Sequence, residues 1–175
     1  MNQYVEVAME FELKAVSPEA VARALAKADR YRLLNEPGEA ESICRDALHA
    51  EPDNQEVLIT LVLALTDQFE EDPSTVVEAS AIAGQLRDEY QRAYYTGLVA
   101  ERRAKARLRH GAPGAGPQAY EWLRTAMSFY EKADALRAAG NDDARLRWNA
   151  CARLIMHNRH LVPIGEERGE PLLLE

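Results

Sequence analysis

The chain has 175 residues, 47% of them hydrophobic and 29% charged, with a formal net charge of −8 at pH 7. That balance excludes a disordered or low-complexity chain and suits one domain large enough to bury a core. Two cysteines are too few for a disulfide framework, and the longest apolar run, Val57 to Leu65, is too short to span a bilayer.

Ala, Leu, Glu and Arg abound while Phe and Trp are few, a bias that favours helices. The charge is unevenly spread: residues 1–86 hold six Lys/Arg against 17 Asp/Glu, and residues 87–175 hold 15 against 12. Either these are solvated helix faces of different sign, or the basic half is presented to an acidic partner or to the acidic half of a second copy. Glu6, Glu10 and Glu12 stand where a secretory leader carries basic residues, so the sequence predicts a cytoplasmic protein with Cys44 and Cys151 reduced.

In chain order, Val5, Val7, Met9, Phe11, Leu13 and Ala15 alternate with Glu6, Ala8, Glu10, Glu12 and Lys14. Period two predicts a short strand, which needs a partner in the tail or a second chain; the competing reading is an irregular helical extension, because Glu and Met are poor strand formers. Ser17-Pro18 reads as the cap and first residue of a helix carrying Val21, Leu25, Ala28 and Leu33. The segment Asn35 to Glu39 breaks it, and a second helix runs from about Glu39 to Ala50 before Pro52. Asp53 and Glu56 form the expected capping box of a third, apolar helix to Leu65. Asp72-Pro73 opens a fourth, expected to reach Tyr90, and a fifth spans about Gln91 to Arg109. The stretch His110 to Pro117, with three Gly and two Pro, predicts a connector. No Lys-Ser/Thr follows those glycines and no strand precedes them, so they do not form a phosphate cradle. A sixth helix is expected over about Gln118 to Ala138, then a seventh, amphipathic one over Asp143 to Asn158 after the Gly140 stop. The tail from Leu161, with Pro163 and Pro171, should be extended.

Helix pairs joined by short turns imply stacked antiparallel hairpins. Residues 21–54 add a more specific signal. Small residues fall at Ala28, Ala40 and Ala47, an aromatic at Tyr31, and a proline at Pro52. At that spacing the segment resembles one tetratricopeptide repeat (TPR), a helix–turn–helix unit of about 34 residues. Cys44 occupies the second aromatic slot, while Ala24 and Lys27 depart from the pattern's Trp and Leu. Weaker copies follow. In the third, Gly97 takes the small slot, with Ala126, Tyr130 and Ala133 on the paired helix; from Ala144 a last helix places Cys151 in the small slot and Leu154 in the aromatic one. The resemblance implies an all-α, TPR-like α-solenoid of about three and a half repeats over residues 17–160, flanked by an arm (1–16) and a tail (161–175).

It also implies a function. First helices of such repeats line a concave face that holds peptides, and here the matching slots are Tyr94, Tyr95, Leu98 and Arg102, then Arg145, Trp148 and Asn149. Tyr94, Tyr95, Arg102, Arg145, Trp148 and Asn149 are the candidate partner-binding residues, because aromatics and arginines combine large buried area with recognition of acceptors. The competing reading makes Tyr95 and Trp148 core residues between neighbouring units. Some members of the family grip a chaperone's terminal carboxylate with groove Lys and Asn, but the matching slots hold Leu25, Ala26 and Asp29.

The run Glu101 to His110 carries Arg102, Arg103, Lys105, Arg107 and Arg109. RNA binding through residues 102–109 is one reading; a cationic helix end favoured by the helix dipole suits an acidic chain better. His157, His160 and Cys151 lack a second ligand cluster, so no metal site is expected. No nucleophile–base pair can be argued from spacing, and no cofactor is implied. The sequence thus predicts a non-catalytic protein- or peptide-binding scaffold. The alternative is a homo-oligomerisation module using the arm and the Pro171–Glu175 tail. A nucleic-acid partner is disfavoured, and no membrane role is expected.

Overall fold

The computed structural model describes residues 11–165. After a 3-10 turn at Pro18–Ala20, these form seven helices: α1 Val21–Leu33, α2 Pro37–Ala50, α3 Gln55–Asp67, α4 Thr75–Gln85, α5 Glu89–His110, α6 Ala115–Leu136 and α7 Asp143–His157. Each helix packs against the next; α1 also packs against α3, and α3 against α5.

Turn chemistry sets the boundaries. Asn35 adopts a left-handed backbone with φ of 60°, a region that asparagine tolerates better than most residues. Beside it, the Glu36 amide donates to the Tyr31 carbonyl (2.9 Å) and the Asn35 amide to the Arg32 carbonyl (3.0 Å). This pair of bonds is a Schellman stop, and Pro37 then enters α2 where no amide donor is needed. At the next turn the cap is Asn54, one residue beyond the expected Asp53. Its side-chain oxygen accepts from the Glu56 and Val57 amides at 3.1 and 3.2 Å, while Asp53 pairs with Arg87 instead.

Three other boundaries differ from expectation. The fourth helix stops at Gln85, where Leu86 turns to an extended backbone and is fully buried. Asp88 then caps α5 by accepting from the Gln91 amide at 2.7 Å. Only Gly111–Gly114 form the connector; Ala115, Gly116 and Pro117 already belong to α6, whose first turn tolerates a proline. Residues 11–16 have no regular structure, so the described part of the expected strand does not form; an all-helical body offers no sheet edge to pair with it. Residues 1–10 of that arm and residues 166–175 of the expected extended tail lie outside the described residues. The tail's beginning is anchored rather than free. Leu161 is buried in the core, and a turn follows at Ile164–Gly165.

Two apolar cores result. The first joins α1–α4 with one face of α5 and contains Ala28, Ala40, Cys44, Ala47, Val57, Leu61 and Leu65. Its centre is α3, apolar nearly all round because four helices surround it. The second joins α5–α7 around Leu123, Tyr130, Ala144 and Cys151. Gly97 belongs to this contact for a steric reason. A β-carbon there would lie 3.0 Å from the Tyr130 ring and 3.2 Å from the Ala126 carbonyl. Gly116 is tighter still, with the His160 carbonyl oxygen 2.2 Å from where a β-carbon would sit, which fixes the segment after α7 against the start of α6.

Candidate binding groove

The odd-numbered helices share a groove of about 650 Å³. Helix α1 contributes Asp29 and Arg32, α3 contributes Thr66 and Asp67, α5 contributes Arg102, Lys105 and Arg109, and α7 contributes Arg147. Helical spacing places Arg102, Lys105 and Arg109 on one stripe of α5, so the cations face the same way.

Carboxylates hold these cations in place. Asp67 accepts from Arg32 at 2.8 Å and also from Arg102, which reaches Thr66 Oγ1 at 2.9 Å. Arg109 pairs with Glu70. Below the groove floor lies Glu101, fully buried on α5. It accepts from the Tyr130 hydroxyl at 2.6 Å, from Lys105, and from Arg147 at 3.4 Å, so one carboxylate links α5, α6 and α7. Burial, reinforced by the Glu101 charge, pushes the Tyr130 phenol far above its ordinary value, and it acts only as a donor here.

The six candidate residues fall in three places. Arg102 lines the groove. Tyr94 and Tyr95 stand at the seam between the two cores, their rings edge-to-face at 5.2 Å; Tyr94 also lies 5.9 Å from Tyr90 and 5.8 Å from Tyr130. Arg145, Trp148 and Asn149 line a separate pocket of about 270 Å³ between α6 and α7. There the Trp148 indole donates to Glu131 at 2.9 Å and Arg145 to Asp134 at 2.7 Å. Arg32, Asp67, Lys105 and Arg147 are groove residues that the repeat slots do not single out. Their signal is the recurrence of charge toward the C-terminal ends of α1, α3 and α5 and early in α7, visible only once the helices are aligned.

The thiols of Cys44 and Cys151 are buried and unpaired. Burial first, then the Asp29 carboxylate, raises Cys44 from an ordinary 9.0 to about 11; burial and Glu101 raise Cys151 to about 12. Both are protonated at neutral pH, so a disulfide-exchange reagent is expected to label neither in the native protein and both after denaturation. A raised folded pKa means that this stabilising difference is complete below 9.0 and is lost as pH rises through about 11 and 12. Among the described residues, no group of three His, Cys, Asp or Glu could hold a metal ion, and no helix is long and apolar enough to cross a membrane. Comparisons with family models, with curated proteins and with solved structures give no match to this chain.

Proposed function

We propose that this chain is a non-catalytic scaffold that binds a protein or peptide along the groove of its odd-numbered helices. In this reading the hairpins are degenerate TPR-like units stacked into a short solenoid, with α1, α3, α5 and α7 on its concave side. A reducing, cytoplasmic setting suits its two buried thiols.

The observation that carries the reading is the shared lining. Three helices from separate hairpins and the unpaired α7 contribute to one groove of about 650 Å³, a size that suits an extended peptide or one helical turn. Arg32 and Arg102 are already ordered by Asp67, so a partner's acceptors meet donors whose side-chain entropy has been spent on folding. The exposed Leu33 side chain gives the same groove apolar area to bury.

Arg102→Glu with Arg109→Glu reverses two cations on one wall without touching the core. The proteins co-purifying with the intact chain, quantified by mass spectrometry, should fall about tenfold in the variant, as expected from losing interface anchors worth about 1–2 kcal/mol. Circular dichroism should be unchanged. An unaltered set of partners on a folded variant removes the groove from the binding function.

A further inference from the structure

Helix α5 carries positive charge on two faces, and the faces differ. On the groove side Arg102, Lys105 and Arg109 are each bonded to a carboxylate. On the other side Arg103, Arg107 and His110 have no ion pair among the described residues, and the Arg107 Nε is buried without a hydrogen-bond partner there. These three border a second groove of about 520 Å³ between α4 and α6, and none of its lining residues is acidic. Its apolar part is Val76, Val77 and Trp122; the Trp122 ring lies 4.0 Å beneath the Arg103 guanidinium, and Val77 is 77% exposed.

An occupant must bring carboxylates beside large apolar side chains. The N-terminal arm has that chemistry: Val5, Val7, Met9, Phe11 and Leu13 alternate with Glu6, Glu10 and Glu12. Phe11 and Leu13 are 76% and 85% exposed, so the protein's own core does not use them. Arg103 and Arg107 are one helical turn apart, about 6 Å along the axis. Alternate residues of an extended chain are about 6.6 Å apart, which lets Glu10 and Glu12 meet both. The antiparallel order of the helices puts the start of α1 at the end of the molecule opposite the last turns of α5, where the cations lie. That placement favours an arm from another molecule.

We propose that the groove between α4 and α6 receives the acidic N-terminal arm, residues 5–15, of a second copy of this chain. The contact is head-to-tail in its surfaces, and it closes as a dimer when two copies exchange arms reciprocally.

Light scattering on the full chain across a concentration series tests this. The expected result is reversible self-association, weakened about tenfold or more by Phe11→Ser with Leu13→Ser and also by Arg103→Glu with Arg107→Glu. The arm substitutions lie outside the cores, so their effect is not one of misfolding. Adding Glu10→Arg and Glu12→Arg to the arginine variant should restore association by reversing both signs. A full chain that is monomeric at every concentration overturns the proposal, as does association that survives either pair of substitutions. The groove of the odd-numbered helices is untouched by these changes, so the two outcomes are read separately.

Discussion

Ala28→Leu combined with Ala47→Leu is expected to lower the melting temperature by roughly 5–20 °C. Ala28 on α1 is completely buried and Ala47 on α2 is 1% exposed, and both belong to the same core as Ala40 and Cys44. Close packing of α1 and α2 depends on these small side chains, because helix axes approach to about 8–10 Å only where the contact residues leave room. Each leucine adds three carbon atoms to a region already at interior density, which costs about 1–3 kcal/mol through forced rotamers and backbone shifts. In a chain of this length each kcal/mol moves the midpoint by roughly 2–4 °C. Ala26→Leu is the control. It lies on the exposed side of α1, two residues from Ala28, and should change stability by less than about 0.5 kcal/mol. Calorimetry that finds the double variant as stable as the parent would show that α1 and α2 have room between them.

Those alanines were legible because a tight helix–helix contact demands small residues at fixed intervals, and the demand is written into adjacent sequence. Pro37, Pro52 and the Gly111–Gly114 turn were legible for a related reason: each acts on its own backbone. The break at Leu86–Asp88 was not. It contains no glycine or proline, and it is decided by the burial of Leu86 and by Arg92, which donates to the Leu86 carbonyl at 2.7 Å. The choice of Asn54 over Asp53 as a cap is of the same kind, since both side chains are competent and only the distant Arg87 separates their roles. The groove of the odd-numbered helices was legible in part. The slots implied by the repeat resemblance included Arg102, which lines the groove, but Arg145 and Trp148 turn toward Asp134 and Glu131 because acidic partners on α6 are within reach. The basic run of α5 has one appearance in sequence and two in space. Its members alternate between a face where carboxylates meet them and a face where, among the described residues, none does.

Glu101 is the residue through which fold and groove depend on each other. It is a fully buried acid on α5, and its sequence context, between Ala100 and Arg102, gives no sign of burial. Its worth follows from its partners. Glu101→Ala leaves the Tyr130 hydroxyl in an apolar core without an acceptor, at about 1–3 kcal/mol. It also opens a cavity and removes the counter-charge of Lys105 and Arg147. Those two side chains are 36% and 37% exposed, so water can replace much of what they lose, and their share is discounted accordingly. A total of roughly 3 kcal/mol is expected, at the low end for breaking a buried charged pair. Chemical denaturation should give that value with an unchanged slope. Glu101→Gln, which keeps an acceptor for Tyr130 at nearly the same volume, should cost less. The decisive comparison is the double variant Glu101→Ala/Tyr130→Phe. Removing both ends of the 2.6 Å bond leaves no orphaned hydroxyl, so its cost should fall short of the two single costs added together by about 1 kcal/mol or more. Strict additivity would mean that the carboxylate and the phenol do not support each other, and that α5 and α6 are held by their apolar contact alone. The same cycle run with Arg147→Ala in place of Tyr130→Phe reads the coupling of Glu101 to α7 separately.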